Sequence, residues 1–440
     1  MTDNQSPGKR RGSIFIGRKT IPEKQCDVFE PLPNVMEITS LSSRFDSLAR
    51  MVSISMLGIL SLLSVRSQDS ASLSKWVVTK GALPFLEYGP GDDRLGGAKM
   101  TYLDSNIHLE VVDSLNGDYV VRLSRQHRAF IAKSSVRAAN RPRRDAYTIS
   151  GSWKVHGDAR YDYATVSLPA RMPYRSLMQT DPSRIVVDLF GVTSNTNWVT
   201  RLSSAAYIRK AWYEQVEDDV MRVYIQLEGS RHWGYSVGYD SAASRLVVKV
   251  KRPPSSRDFR KLRIAIDAGH GGSNSGAAGV KTGILEKDYT LLIAKRLESE
   301  LKRKGNRNLF MTRHVDTTLD MPERIRMLKQ WDPDILLSIH LNSSSRDSIR
   351  GTSTYYRHVG FAPLSESILR RMLKLGLAEF GNVGHFNFAL SGPTEYPNCL
   401  VEVAFLSNPD DERRIADPRF HREVARRIVE GVKDWLKARE

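Results

Sequence analysis

From residue 261 onward, short apolar runs alternate with segments of helical period, and side chains that can bind metals lie where the runs end. His270 follows the first run within a set of glycines, His340 closes a later one, and Glu402 follows the last. Such alternation predicts an α/β domain with a mainly parallel sheet flanked by helices. Ligands of open α/β sheets bind beyond the carboxyl ends of the strands, so we expect these side chains to meet at one edge.

The hydrophobic periodicity also predicts the individual elements of this domain. We expect strands at 262–267, 308–312, 334–339, 351–357 and 399–403, and helices at about 286–304, 322–331, 363–380 and 418–438.

Two imidazoles and a carboxylate form the ligand set of a catalytic zinc, with a fourth position left for water. A second carboxylate close by can move protons during hydrolysis. Glu286 comes sixteen positions after His270, in the first turn of a predicted helix, where it would otherwise serve only to complement the helix dipole. The glycine-rich loop at 271–282 lacks the spacing of a phosphate-binding P-loop.

The net charge of +17 favours an anionic partner, which includes nucleic acid, a membrane surface or an acidic wall polymer. The same surplus is also compatible with an ordinary solvated surface. No RNA- or DNA-reading motif is present, so we expect no nucleic-acid partner. With only Cys26 and Cys399, a disulfide framework and a cysteine-rich zinc site are both excluded, and Cys399 is predicted to be a small buried apolar residue.

Residues 1–50 are polar and basic and are predicted to be a disordered tail. The apolar segment Met51–Val65 has the length of a signal-peptide core, and small residues suited to cleavage follow by residue 72. Because the upstream region is long for a signal peptide, either translation starts internally at Met36 or Met51, or 51–72 is an uncleaved anchor. Both readings predict export to the periplasm or cell envelope.

Two β-rich modules are predicted before the α/β domain. Alternating runs over 76–136, with a hairpin turn at Asn116-Gly117, predict a small β-barrel, and 146–251 predicts a second all-β module. A Pro- and Ser-containing linker at 252–260 leads into the α/β domain at 261–440.

Five motifs of this last domain occur in the order found in a known family. They are Asp267-Ala-Gly-His-Gly-Gly272, Leu285-Glu-Lys-Asp288, Thr312-Arg313 with Asp316 and Glu323-Arg324, Ser338-Ile-His-Leu-Asn342, and Val401-Glu-Val-Ala-Phe-Leu-Ser-Asn-Pro409. The domain resembles the zinc-dependent N-acetylmuramoyl-L-alanine amidases of the AmiC and CwlV type (Amidase_3). The resemblance implies a peptidoglycan substrate, Zn²⁺ held by His270, Glu286 and His340, and Glu402 as the catalytic base and acid.

The β modules carry weaker resemblances. Residues 76–136 resemble a bacterial SH3-like domain, and 146–251 resemble the AMIN module, a β-sandwich that targets cell-wall amidases to the envelope. The strand spacing of the second module also fits an unrelated β-sandwich.

Three features depart from the family pattern. Phe388-Ala-Leu-Ser-Gly392 lacks an arginine that relatives carry there, Ala404 replaces a glycine, and the stretch from His340 to Phe388 is too short for the helix that blocks the zinc in activator-dependent relatives. We therefore expect a site that is open without an activator.

The remaining polar residues of the domain receive lesser roles. From outside the metal shell, Asp267 is a candidate for orienting His270, and Asn342 is a candidate for orienting a neighbour of His340. Three histidines are predicted to be surface or packing residues, and one of them, His385, is a candidate substrate contact; they are His314, His358 and His385.

Three functions remain open from the sequence. They are a zinc amidase of peptidoglycan, a catalytically inactive wall-binding scaffold, and a zinc peptidase that cuts within the stem peptide. The sequence leaves the oligomeric state undetermined.

Overall fold

The computed structural model describes residues 75–91, 96–142, 148–240 and 245–438, all within one compact unit. The predicted basic tail and the apolar segment at 51–72 lie outside the described residues. Among the described helices, none combines the length and the apolar character needed to cross a membrane.

The N-terminal module is an antiparallel sheet, which we call the N-terminal sheet. Its strands are Lys75–Thr79 (β1), Phe85–Glu87 (β2), Lys99–Tyr102 (β3), His108–Leu115 (β4), Asp118–Arg122 (β5), Arg128–Ala132 (β6) and Val136–Ala139 (β7). Their order is β3-β2-β6-β5-β4-β1-β7. The predicted hairpin turn joins β4 to β5, with Asn116 in the left-handed region at φ 50°. Within the described residues the edge strands β3 and β7 do not pair, so the expected SH3-like barrel is not confirmed.

The second module contains two larger sheets. Its strands are Thr148–Ser150 (β8), Trp153–Gly157 (β9), Tyr161–Val166 (β10), Tyr174–Thr180 (β11), Ser183–Phe190 (β12), Val192–Ser194 (β13), Val199–Arg201 (β14), Ile208–Glu217 (β15), Val220–Leu227 (β16), Tyr235–Tyr239 (β17) and Leu246–Lys251 (β18). One sheet runs β14-β9-β10-β18-β17, the other β11-β12-β16-β15, and β8 pairs with β13. Buried side chains of both larger sheets share one core, as in a β-sandwich.

The α/β domain has the predicted alternation. Its strands are Ile264–Ala268 (β19), Leu309–Met311 (β20), Ile335–Asn342 (β21), Thr352–Tyr355 (β22), Glu379–Val383 (β23) and Asn398–Phe405 (β24). Its helices are Glu286–Arg303 (α1), Met321–Trp331 (α2), Ala362–Met372 (α3), Pro409–Ile415 (α4) and Pro418–Lys437 (α5). The sheet order is β20-β19-β21-β24-β22-β23, and β19, β20, β21 and β24 are mutually parallel.

The two outer strands on one side reverse direction. β22 lies antiparallel to β24, and β23 lies parallel to β22. The central strand β21 is apolar and buried over most of its length, which is typical of a strand covered by helices on both faces. On one face, α1 and α3 both pack against α5.

Two elements differ from the prediction. The helix expected at 363–380 ends at Met372, because Gly376 takes a left-handed conformation at φ 69° after one tighter turn, and β23 follows. The short helix α4 was not predicted, although Asn408 caps it by accepting hydrogen bonds from two backbone N–H groups and Pro409 opens its first turn.

The second module and the α/β domain share buried polar contacts. Lys251 Nζ lies 2.6 Å from a carboxylate oxygen of Asp332, and Tyr161 donates a hydrogen bond to the same carboxylate. On the other side, Arg231 donates to the carbonyl oxygen of Trp435 in α5 at 2.9 Å.

Candidate active site

Three elements bring the predicted ligands to the carboxyl edge of the sheet. β19 ends at Ala268 and delivers His270 in a glycine loop, β21 carries His340 near its end, and α1 begins with Glu286. His270 itself has a left-handed backbone, with φ 61°. This turn of the loop places the imidazole beside Glu286.

The three side chains converge on one point. Glu286 Oε1 lies 3.0 Å from His270 Nε2 and 3.1 Å from His340 Nδ1, and the possible ligand atoms all lie within 4.8 Å of one another. Their side chains are 22%, 5% and 4% exposed for His270, Glu286 and His340. The predicted cluster is therefore a largely buried group that could hold a metal ion.

The donor set and its spacing fit zinc. Bonds of about 2.0–2.1 Å in a tetrahedral site place neighbouring ligand atoms about 3.3 Å apart, close to the separations found here. The nitrogens next to Glu286 Oε1, which are Nε2 of His270 and Nδ1 of His340, complete a donor set of two imidazoles and one carboxylate.

Backbone amides hold the Glu286 carboxylate in place. Leu341 N–H donates to Oε1 at 3.0 Å, and Ala277 N–H donates to Oε2 at 2.9 Å. Burial alone would raise the pKa of Glu286, but hydrogen bonds with the two imidazoles outweigh it and hold the pKa far below its usual range. The carboxylate is thus charged, the form that binds a cation.

Asn274 fixes which nitrogen of His270 faces the cluster. Its Oδ1 accepts the Gly276 N–H at 3.2 Å and lies 2.9 Å from His270 Nδ1. A carbonyl oxygen only accepts, so Nδ1 donates its proton to Asn274, which leaves Nε2 as the nitrogen of His270 that is available to a metal ion. Sequence reasoning missed Asn274, whose only sequence feature was its place in the glycine loop.

Glu402 lies beside this cluster on β24. It is the direct neighbour of His340 in the parallel pairing of β21 and β24, and paired residues of adjacent strands present their side chains to the same face. Both residues line a cleft of about 870 Å³. A second carboxylate therefore lies next to the three residues that could hold a metal ion.

Three consecutive serines and two phenylalanines also line the cleft. Ser343, Ser344 and Ser345 follow β21, while Phe386 and Phe388 form what we call the aromatic wall. The Phe388 ring lies edge-on to His340 with centroids 5.1 Å apart.

Comparison with known families places this geometry in context. The family model for N-acetylmuramoyl-L-alanine amidases (Amidase_3) matches residues 264–434, and the AMIN model matches 154–259. The C-terminal domain is an N-acetylmuramoyl-L-alanine amidase domain, preceded by an AMIN domain. The amidase and AMIN resemblances seen in the sequence are thereby confirmed.

The chain is similar to named amidases from several bacteria. It is 29% identical over 371 residues to the N-acetylmuramoyl-L-alanine amidase AmiC of Escherichia coli O6:H1, covering 64% of this chain and 88% of that protein. It is 33% identical over 177 residues to the probable cell wall amidase LytH of Staphylococcus aureus, covering 40% of this chain and 58% of LytH. The chain therefore spans little more than half of LytH.

Among solved structures, the amidase domain is similar to the catalytic domain of CwlV, an N-acetylmuramoyl-L-alanine amidase from Bacillus (Paenibacillus) polymyxa. The identity is 32% and the TM-score 0.38, with 40% of this chain and 98% of that chain covered.

The two residues predicted to act from outside the metal shell, Asp267 and Asn342, are hydrogen-bonded to other side chains. Asp267 is fully buried and accepts hydrogen bonds from Thr312, Ser338 and Arg324, and it reaches the His270 backbone only through Arg324. Asn342 donates to the Tyr355 hydroxyl at 3.3 Å. Asp267 is thus connected to His270 through Arg324, and the orienting roles of Asp267 and Asn342 stay predictions.

The other histidines of the amidase domain lie away from the ligand cluster. His314 is exposed near Glu298, and His385 is exposed outside the residues that line the cleft. His358 is partly buried and donates a hydrogen bond to the carbonyl oxygen of Gly392 at 2.8 Å. Cys399 is buried, as predicted.

Proposed function

We propose that this protein hydrolyses the amide bond between the lactyl group of N-acetylmuramic acid and the L-alanine of the peptidoglycan stem peptide. One observation carries the proposal: His270, Glu286 and His340 converge with separations of 3.0 and 3.1 Å beside Glu402, within an amidase-family domain. We assign the first three residues as ligands of Zn²⁺ and Glu402 as the catalytic residue.

The chain's own residues perform the proton chemistry. A zinc ion bound at the cluster would supply a Lewis acid that polarises the scissile carbonyl and favours deprotonation of a water. Glu402 accepts a proton as water oxygen attacks the carbonyl carbon. It then returns that proton to the L-alanine nitrogen as the carbon–nitrogen bond breaks. Asn274 and the amides of Ala277 and Leu341 keep the ligand atoms fixed during these steps.

The proposal extends to location and partners. The peptidoglycan substrate lies outside the cytoplasm, which agrees with the export expected from the apolar segment at 51–65. The net charge of +17 favours retention on anionic envelope polymers or on a membrane surface. An AMIN domain is consistent with attachment to the wall.

Digestion of purified peptidoglycan tests the proposal. Wild type should release fragments with new L-alanine amino termini, and a chelator should stop the release. Glu402→Gln should lose at least about 10³-fold in rate with zinc content unchanged, since the proton acceptor is gone and the ligands remain.

The products separate the three functions left open by the sequence. New amines from another residue of the stem peptide would identify a peptidase instead. Absence of any cleavage by the zinc-loaded wild type would identify a scaffold.

A further inference from the structure

The N-terminal sheet touches the amidase domain at the segment that carries the aromatic wall. Asn387 Oδ1 accepts a hydrogen bond from the Lys99 N–H of β3 at 3.3 Å, and Asn387 Nδ2 donates to the carbonyl oxygen of Gly97 at 2.7 Å. The side-chain oxygen and nitrogen of Asn387 are thus both hydrogen-bonded to the backbone of the N-terminal sheet module.

An arginine of the amidase domain completes this junction. Arg357 Nη1 donates to Asn387 Oδ1 at 2.6 Å, and its Nη2 donates to the carbonyl oxygen of Lys99. Burial lowers the pKa of Arg357, yet the group stays charged at any physiological pH. Lys99, Asn387 and Arg357 therefore form a closed triangle of hydrogen bonds between the two modules.

Asn387 stands between the two phenylalanines of the aromatic wall. The rings of Phe386 and Phe388 stack at 6.2 Å with an interplanar angle of 14°. Phe386 also packs on Tyr355 at 4.6 Å, and Phe388 packs on His340 at 5.1 Å. A shift of Asn387 would carry both rings with it, because they are its chain neighbours.

The backbone of this segment is bent. His385 has a left-handed backbone at φ 55°, and Phe386 N–H donates to the carbonyl oxygen of Tyr356 at 3.2 Å. A non-glycine residue in this region of φ is uncommon and persists where surrounding contacts enforce it. The triangle at Asn387 supplies such contacts two residues further on.

We infer that the N-terminal sheet is a positioning element of the amidase site: through Asn387 and Arg357 it sets the place of the aromatic wall over His340. Asn387 and Arg357 are positioning residues, and neither lines the cleft. A misplacement of about 1 Å at a reacting centre can lower a rate about 10²-fold, so the module contributes to turnover beyond any attachment to the wall.

The activity arm of the test rests on the proposed function. The full chain is assayed on a soluble N-acetylmuramoyl peptide, which removes any effect of wall attachment on the rate. Asn387→Ala and Arg357→Gln should each lower kcat at least about 10-fold with little change in zinc content. Asn387→Asp keeps the acceptor for Lys99 and Arg357 but loses the donor to Gly97, so its kcat should be intermediate.

Arg171→Gln provides the matched control. Arg171 also donates to a backbone carbonyl of the N-terminal module, that of Ser105 at 3.1 Å, but it belongs to the AMIN region. Its kcat should equal that of wild type. An equal loss in this control would mean that any weakening of the module contacts lowers turnover, and it would overturn the assignment to Asn387.

Hydrogen–deuterium exchange keeps the inference separate from the proposed function. In Asn387→Ala and Arg357→Gln, amides at 384–392 should exchange at least about 10-fold faster than in wild type and in the Arg171→Gln control. Unchanged exchange there would overturn the positioning role. An inactive wild type with the expected exchange would refute the proposed function and leave the positioning role standing.

Discussion

At the residue scale, the ligand cluster depends on a side chain that is not one of the three proposed ligands. Asn274 determines the tautomer of His270, so that Nε2 rather than Nδ1 offers a lone pair to a metal. Partners of this kind typically contribute 10–100-fold to metal affinity.

Asn274→Ala should accordingly weaken zinc binding by about 10–100-fold, because the imidazole loses its fixed tautomer and orientation. Competition with a chromophoric chelator measures the effect. Asn308→Ala, which removes an amide before β20 and far along the chain from the loop, should bind zinc as wild type does. Equal zinc affinity in both variants would contradict the prediction.

His358 should make the free energy of unfolding depend on pH. Burial lowers the pKa of His358 to about 4, against the raising effect of its hydrogen bond to Gly392, and Arg357 lowers it further. The unfolded chain has the ordinary histidine pKa near 6.5, so it binds more protons than the folded protein between these values. The stabilising contribution of neutral His358 to the free energy of unfolding is therefore fully present above about pH 6.5 and is lost as the pH falls towards 4.

Urea denaturation across this range measures the loss, which is at most about 3 kcal/mol. His358→Gln keeps a donor for Gly392 without a titrating ring, so its stability should vary less between pH 6.5 and 4. A pH dependence as steep as that of wild type would assign the effect to other groups.

At the element scale, the sequence predicted the strands and helices that local hydrophobic patterns determine. Apolar runs predicted the positions of β19, β21 and β24. Because ligands bind at the carboxyl edge of parallel strands, the sequence also predicted that His270, His340 and Glu402 lie together. The end of α3 was missed because a single left-handed glycine, Gly376, outweighed a helical pattern that continued past it. The contact between Lys99 and the segment of the aromatic wall could not be predicted from local patterns, because it joins residues 288 positions apart.

The arrangement of α3 bears on activation. This helix lies between β22 and β23 in the chain and packs against α5, and it is the only α-helix described between His340 and Phe388. It does not contribute to the cleft. The purified full chain should therefore cleave peptidoglycan with no added protein. Negligible hydrolysis that rises on adding an envelope extract would contradict this expectation.

At the scale of the whole molecule, buried ionic contacts fasten the AMIN domain to the amidase domain. Lys251 is 4% exposed and pairs with Asp332, which Arg160 also approaches at 3.0 Å. Removing one partner of a buried pair typically costs 3–5 kcal/mol, because the remaining charge stays out of water.

Asp332→Asn should lower the free energy of unfolding by about 3 kcal/mol, measured by urea denaturation. Asparagine tolerates the left-handed backbone at this position, φ 55°, so the loss reports on charge rather than strain. The control is Asp240→Asn, since its partner Arg245 is 54% exposed and the expected change is below about 1 kcal/mol. Equal unfolding midpoints for the two variants would refute the role of the Lys251 pair.

The strand that carries Glu402 is hydrogen-bonded on both sides, by β21 and by β22. The aromatic rings of the cleft instead belong to a bent segment whose middle residue, Asn387, is hydrogen-bonded to the N-terminal sheet. Under the inference above, a substitution in that sheet would reshape the groove that receives the substrate while leaving Glu402 in its place.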